Sequence, residues 1–206
     1  MNEIINLFTL NVYKVFLQDI DNDLLLKEIG EYSNASNPSS HPKNGMANIK
    51  SETPTHTFYE DKFYPFGKPE SEKLLVEITK AVNNFTGSDM LLDSAWTIAL
   101  EKGESVLCHT HKVNTQLYPE NHYSVSYYVT APENSADLIF VTTHCNTIER
   151  ATPIKIEKGM LLIFNSFIPH MTNRQYSEEK RVVVSANFNP KIPNQTPSAD
   201  WSEYAR

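Results

Sequence analysis

The sequence His109-Thr110-His111 sets two imidazoles two residues apart, and Pro169-His170 brings a third, eleven residues before Arg181. On a β-strand, side chains alternate between faces, so residues i and i+2 point the same way and both imidazoles of the pair reach one ion. A third ligand from a distant strand would fill half of the metal's coordination sphere. A buried guanidinium beyond it would hold the carboxylate of an organic cosubstrate through two parallel hydrogen bonds. His109, His111 and His170 are thus candidate metal ligands, and Arg181 is a candidate anion clamp.

The same alternation describes the surroundings of Arg181. In the run Arg181 to Phe188, Arg181, Val183, Ser185 and Asn187 share one face, while Val182, Val184, Ala186 and Phe188 share an apolar one. Ser124, Ser126 and Tyr128 likewise oppose Tyr123, Val125, Tyr127 and Val129. Two such strands would line a pocket suited to a small dianion, with the Tyr128 hydroxyl and Arg181 on one carboxylate and Ser185 and Asn187 alongside. The competing reading of these faces is plain exposure to water. Of the other histidines, His122 and His144 read as polar edge residues, and His41 and His56 carry no signal. Cys108 and Cys145 form no Cys-x-x-Cys pair, which argues against a disulfide framework or a thiolate zinc site. Cys108 reads as a small buried apolar residue.

These residues need elements to position them. A first strand is expected within Leu7 to Leu17, and Asp19-Ile20-Asp21-Asn22 starts a short helix that ends at Gly30. Tyr32 to Pro54, rich in Ser, Asn and Pro, reads as a long surface loop. Pro69 opens a helix whose Leu74, Leu75, Ile78, Val82 and Phe85 recur at helical spacing, with Gly87 as its stop. Strands follow near Ala95 to Leu100, Ser105 to Thr110, His122 to Thr130, Leu138 to Thr142, Pro153 to Ile156, Met160 to Phe164 and Arg181 to Phe188. Helices first and strands later point to a mainly β sandwich or barrel with the N-terminal helices packed on one outer face. The 206 residues are expected to form one domain, 1–206, with a polar tail from Pro190 onward.

A net charge of −7 without a basic cluster argues against nucleic-acid binding. Met1 to Leu10 holds neither a secretory signal nor a membrane span, so a soluble cytoplasmic protein is expected.

The ordered set Trp96, Gly103, His109-x-His111, Tyr127-Tyr128-Val129, Pro132, Leu138-Ile139-Phe140, Gly159-x-Leu161-Leu162-x-Phe164, Pro169-His170 and Arg181-x-x-x-Ser185-x-Asn187 resembles the 2-oxoglutarate- and Fe(II)-dependent oxygenases. The resemblance is to a branch of uncharacterised bacterial and phage members, and it covers roughly Ala95 to Asn189. It implies a double-stranded β-helix, a cupin-like jelly-roll barrel with iron at its mouth. It also implies His109 and His170 as Fe(II) ligands, Arg181 as the partner of the distal 2-oxoglutarate carboxylate and Tyr128 as a hydrogen-bond donor to it. The implied reaction hydroxylates a small-molecule or peptide substrate with O2, releasing succinate and CO2. One departure stands out: the family's pair is His-x-Asp or His-x-Glu, where this chain has His111. Either His111 is the third ligand, or a carboxylate such as Glu120 or Asp137 replaces it, or iron binds weakly.

Two other functions compete. Gly103 followed by His109-x-His111 is similar to the first motif of cupin dioxygenases that bind substrate directly on iron. That motif's Glu is missing, however, with Thr115 and Gln116 at the usual spacing, and Arg181 has no role in such a site. A jelly-roll binding or structural module without turnover is the third possibility. The loop from Tyr32 to Tyr64, with Tyr59, Phe63 and the neighbouring Phe66, is a candidate lid.

Overall fold

The computed structural model describes residues 10–35, 64–111, 121–144 and 147–191. In chain order the elements are β1 (Val12–Phe16), α1 (Asn22–Ala35), α2 (Pro69–Thr86), β2 (Met90–Leu100), β3 (Tyr123–Thr130), β4 (Leu138–His144), β5 (Thr147–Ile154), β6 (Met160–Asn165), β7 (His170–Thr172) and β8 (Arg181–Pro190). The strands form two antiparallel sheets, one of five in the order β1-β6-β3-β8-β2 and one of three in the order β5-β4-β7. The protein is mainly β, with the two helices placed before most of the strands.

Side-chain alternation divides the core in two. Val125, Tyr127, Val129, Leu161, Ile163, Val182, Val184, Ala186 and Phe188 point to one side of the large sheet, where Leu25 of α1 and Leu74, Leu75, Ile78 and Val82 of α2 cover them. Trp96, Ile98, Leu100, Tyr128, Leu162, Phe164 and Val183 point to the other side, against Leu138 and Phe140 of β4. The helices therefore lie on the outer face of the large sheet, and the space between the sheets is left for the polar residues of β3 and β8.

Local chemistry accounts for the helix ends. Asp21 Oδ1 accepts the backbone N–H groups of Asp23 and Leu24, capping α1. Pro69 stands in the first turn of α2, and Gly87 ends it at φ 66°, donating its N–H to the Asn83 carbonyl. Lys68 gives α2 no side-chain cap. Glu28 of α1 takes that role, accepting the N–H groups of Glu70 and Ser71 and the Ser71 hydroxyl at 2.7–3.1 Å.

Several expectations need correction. Gly30 does not end α1, which continues through Tyr32 to Ala35. Glycine costs a helix interior only about 1 kcal/mol, too little to stop one that packs Leu25 and Ile29 on the core. The remaining part of the expected loop, with Tyr59 and Phe63, lies outside the described residues. Tyr64 is a fully buried anchor whose hydroxyl donates to the Ser71 carbonyl at 2.6 Å, whereas Phe66 is exposed. β2 begins at Met90 because β8 continues far enough to pair with it. Ser105 to Thr110 is not a strand, and it pairs with the small sheet only through an isolated bridge from His109 to His170 of β7. No helix among the described residues is long and apolar enough to cross a membrane.

Ile78 is fully buried between α2 and the large sheet, so Ile78→Ala should lower stability by about 2–5 kcal/mol. Val76→Ala, on the exposed side of the same helix, should stay within about 0.5 kcal/mol in urea denaturation.

Candidate metal centre and anion pocket

The segment leading to His109 runs antiparallel to the segment around His170, but irregularly. Thr172 N–H donates to the Val106 carbonyl at 3.0 Å, while Val106 N–H turns to the Thr172 hydroxyl at 2.8 Å. The ladder resumes at His109 and His170, which exchange two backbone hydrogen bonds of 3.0 and 2.9 Å, and His111 N–H reaches the Ser166 carbonyl at 2.9 Å. Between these contacts the chain leaves the ladder and strict alternation fails. Leu107 is 44% exposed, and Cys108 is exposed too, not the buried apolar residue expected from its position.

His109 and His111 nevertheless project to the same side and meet His170. Ring centroids lie 5.3 Å apart for His109 and His111, 4.3 Å for His109 and His170, and 4.9 Å for His111 and His170. One nitrogen from each ring falls within 4.8 Å of the others, a spacing that a single ion can bridge. Each Nδ1 meets an oxygen: the Leu107 carbonyl at 2.8 Å for His109, the Ile168 carbonyl at 2.9 Å for His170, and Asn187 Oδ1 at 2.7 Å for His111. A carbonyl oxygen only accepts, so Nδ1 carries the proton and Nε2 keeps a lone pair, the state a metal requires. Burial holds all three rings neutral, lowering His109 below its ordinary range, His111 to about 4 and His170 well below its usual value.

Trp96 packs against His111 with centroids 5.3 Å apart, and Phe164 lies 4.9 Å from His170. The cleft beyond them is lined by Ile98, Ser126, Leu138, Val183, Ser185 and Arg181. Arg181 is only 2% exposed. Its guanidinium carbon sits 5.1 Å from the Tyr128 ring centroid. Among the described residues neither Arg181 Nε nor the Tyr128 hydroxyl makes a well-formed hydrogen bond, although the two groups interact with each other and Tyr128 with Ser126, and no described carboxylate forms an ion pair with Arg181. Burial pushes the Arg181 pKa down against the opposing pull of Tyr128 and of the Asp137 charge, and it pushes the Tyr128 phenol up.

The expected residues therefore assemble, with differences in detail. Ser185 lines the cleft and Tyr128 backs Arg181. Asn187 shares their face, but its amide holds His111 and the Ser124 hydroxyl. Asp137 does not join the three histidines, and Glu120 lies outside the described residues. His122 is not an edge residue; it is 4% exposed and bonded to Asn189 Oδ1 at 2.8 Å. Neither the side chain of His144 nor any part of His41 and His56 is described. The carbonyls of Leu107 and Ile168 carry no sequence signal, since every residue offers one. Trp96 was legible as a motif residue without a place.

No protein-family model and no curated protein matches the sequence. Solved structures do match in fold. The chain is similar to AviO1 from Streptomyces viridochromogenes Tue57 (TM-score 0.64, 14% identity, over 91% of this chain and 92% of that one). It is similar to SnoK, a non-heme alpha ketoglutarate dependent carbocyclase from nogalamycin biosynthesis (TM-score 0.69, 11% identity, 94% and 85%). A third match is HygX from Streptomyces hygroscopicus, whose structure has nickel and 2-oxoglutarate bound (TM-score 0.62, 11% identity, 89% and 84%). The structural neighbours thus include non-heme, 2-oxoglutarate-dependent enzymes.

The depressed histidines make a test of the metal-free protein. An unfolded imidazole takes up a proton near pH 6.5, but folded His111 does so only near pH 4. The unfolded state therefore binds more protons between these values, and stability falls as pH is lowered through the window, by about 1.4 kcal/mol per unit for each such ring. The urea midpoint should fall accordingly, and less steeply in His111→Leu.

Proposed function

We propose that the protein is an Fe(II)- and 2-oxoglutarate-dependent oxygenase that hydroxylates a small-molecule or peptide substrate with O2, releasing succinate and CO2. In this reading the chain is one catalytic domain, 1–206. Its core, about 95–189, is a double-stranded β-helix of the cupin-like jelly-roll type. The observation that carries the proposal is a buried Arg181 without a carboxylate partner among the described residues, in the same cleft as three converging, neutral imidazoles. Burying an unpaired cation costs several kcal/mol, which an anionic ligand recovers.

The residues fit both groups. His109, His111 and His170 present three lone pairs to a divalent ion, with their opposite nitrogens hydrogen-bonded. Among the described residues Arg181 Nε and the Tyr128 hydroxyl make no well-formed hydrogen bond and are two donors available to a carboxylate. Bound Fe(II) supplies redox chemistry and open coordination positions for the 2-oxo acid and O2. Arg181 holds the distal carboxylate and fixes the diacid's orientation, Tyr128 donates to the same group, and Ser185 offers a further hydroxyl on the cleft wall. Ile98, Leu138 and Val183 keep water from the charged contacts, which strengthens them. Three neutral ligands leave the ion's charge unopposed beside a guanidinium, so a dianion is the ligand such a cleft favours. The neutral donor set also suits a cupin-type dioxygenase that binds substrate on iron, in which Arg181 would hold the substrate's own carboxylate; succinate release separates the two.

His170→Ala should abolish stoichiometric Fe(II) binding in anaerobic titration while the fold persists. His111→Asp should retain Fe(II), and His111→Ala should bind it far more weakly.

Calorimetric titration of 2-oxoglutarate into the anaerobic Fe(II)-loaded protein tests the clamp. Arg181→Lys loses the bidentate fork and should weaken binding roughly 30-fold or more, with Fe(II) affinity nearly unchanged. Tyr128→Phe should show a smaller loss. No 2-oxoglutarate binding to the wild type would overturn the proposal.

A further inference from the structure

Strand β2 slips in its pairing with β8 between Leu92 and Ser94, so Asp93 sits in an irregularity. Such a bulge breaks the alternation of side chains and re-aims them, commonly beside functional sites. Here both Asp93 and Ser94 reach side chains of β8. Asn189 Nδ2 donates to Asp93 Oδ1 at 2.9 Å, and Asn187 Nδ2 donates to Ser94 Oγ at 3.2 Å. The Ser94 hydroxyl donates to Asp93 Oδ2 at 3.3 Å. Beyond the two amides stand two imidazoles: His111 Nδ1 on Asn187 Oδ1 at 2.7 Å, and His122 Nδ1 on Asn189 Oδ1 at 2.8 Å. Two hydrogen-bonded chains thus start from one carboxylate, and one of them ends on His111.

The proton count gives the chain to His111 a direction. A carboxylate only accepts, so the single Ser94 proton goes to Asp93 and the Ser94 oxygen accepts from the Asn187 NH2 group. Asn187 must then turn its oxygen toward His111, an orientation reinforced by the Ser124 hydroxyl, which donates to the same oxygen at 2.8 Å. His111 consequently keeps its proton on Nδ1 and its lone pair on Nε2. With the amide reversed, an N–H would face Nδ1, the ring proton would move to Nε2, and the lone pair toward His109 and His170 would be lost. Those two histidines need no such device, because each leans on a backbone carbonyl that cannot exchange with a donor.

We propose that Asp93 is a positioning residue for the candidate metal centre. Acting through Ser94 and Asn187, it selects the Nδ1–H tautomer of His111 and lends that ring, at a distance, the negative charge that a carboxylate ligand would bring directly. The proposal rests on the reading of the three histidines as a metal site, but its first test does not involve a metal. In the 15N spectrum of the metal-free wild type, His109, His111 and His170 should all be Nδ1–H tautomers. Asp93→Asn and Ser94→Ala should each convert part of His111 to the Nε2–H form and leave His109 and His170 unchanged. Asn189→Ala should disturb His122 alone. A merely structural role for Asp93 would not move one ring selectively, and Ser94→Ala, which keeps the carboxylate, guards against a folding failure in Asp93→Asn. Anaerobic Fe(II) titration should then show affinity about 10-fold weaker in both variants. A His111 tautomer unchanged in both would overturn the proposal. The stated tautomer shifts in a protein whose wild type binds no Fe(II) would uphold the relay and overturn the metal reading instead.

Discussion

Strand β8 lies between β3 and β2, and the two-residue period of its side chains governs much of the molecule. Val182, Val184, Ala186 and Phe188 enter the core beneath the helices, which obliges Arg181, Val183, Ser185 and Asn187 to enter the space between the sheets. Shifting this register by one residue would bury the charge among aliphatic side chains beneath the helices and turn the valines into the space between the sheets. The core that stabilises the fold therefore also sets Arg181 and the partner of His111 on one wall. The pairing of Ser126 with Ser185 and of Tyr128 with Val183 across β3 extends that polar wall.

The opposite wall works by different means. His109 and His170 are neighbours through reciprocal backbone bonds, and each leans its Nδ1 on a carbonyl two residues earlier in the chain. Backbone thus supplies both the spacing and the protonation state of two rings. His111 lies beyond this arrangement and relies on side chains: Asn187, Ser124, Ser94 and Asp93. The site joins two rings held rigidly by main chain to a third held by a side-chain network that substitution or evolution can adjust.

Charge binds the two ends of the cleft together. Neutral imidazoles at one end and a guanidinium without a described carboxylate partner at the other leave the pocket without negative charge of its own among its lining residues. Asp137 influences Arg181 through space without forming an ion pair, and Asp93 stands behind an intervening serine and amide. Desolvated positive charge of this kind favours a ligand that brings its own anions, and the low surrounding dielectric strengthens each contact.

Much of this was present in the sequence because it depends on period alone. Alternation in Arg181–Pro190 and Tyr123–Thr130 separates core from cleft, and the recurrence of Leu74, Leu75, Ile78 and Val82 between Pro69 and Gly87 specifies a helix and its buried face. Local patterns of this sort follow from backbone geometry, which nearby residues are sufficient to determine. The tertiary structure decided what long-range contacts decide. It carried α1 past Gly30, where packing outweighs propensity, and it broke the expected strand before His109, where the Thr172 hydroxyl takes a ladder hydrogen bond. It also turned Asn187 toward His111 and brought Asp93 and Ser94 to the same network through a slip in pairing. Side-chain hydrogen bonds between residues 76 and 93 positions apart leave no periodic trace, because their partners are chosen by the folded register rather than by neighbours in the chain.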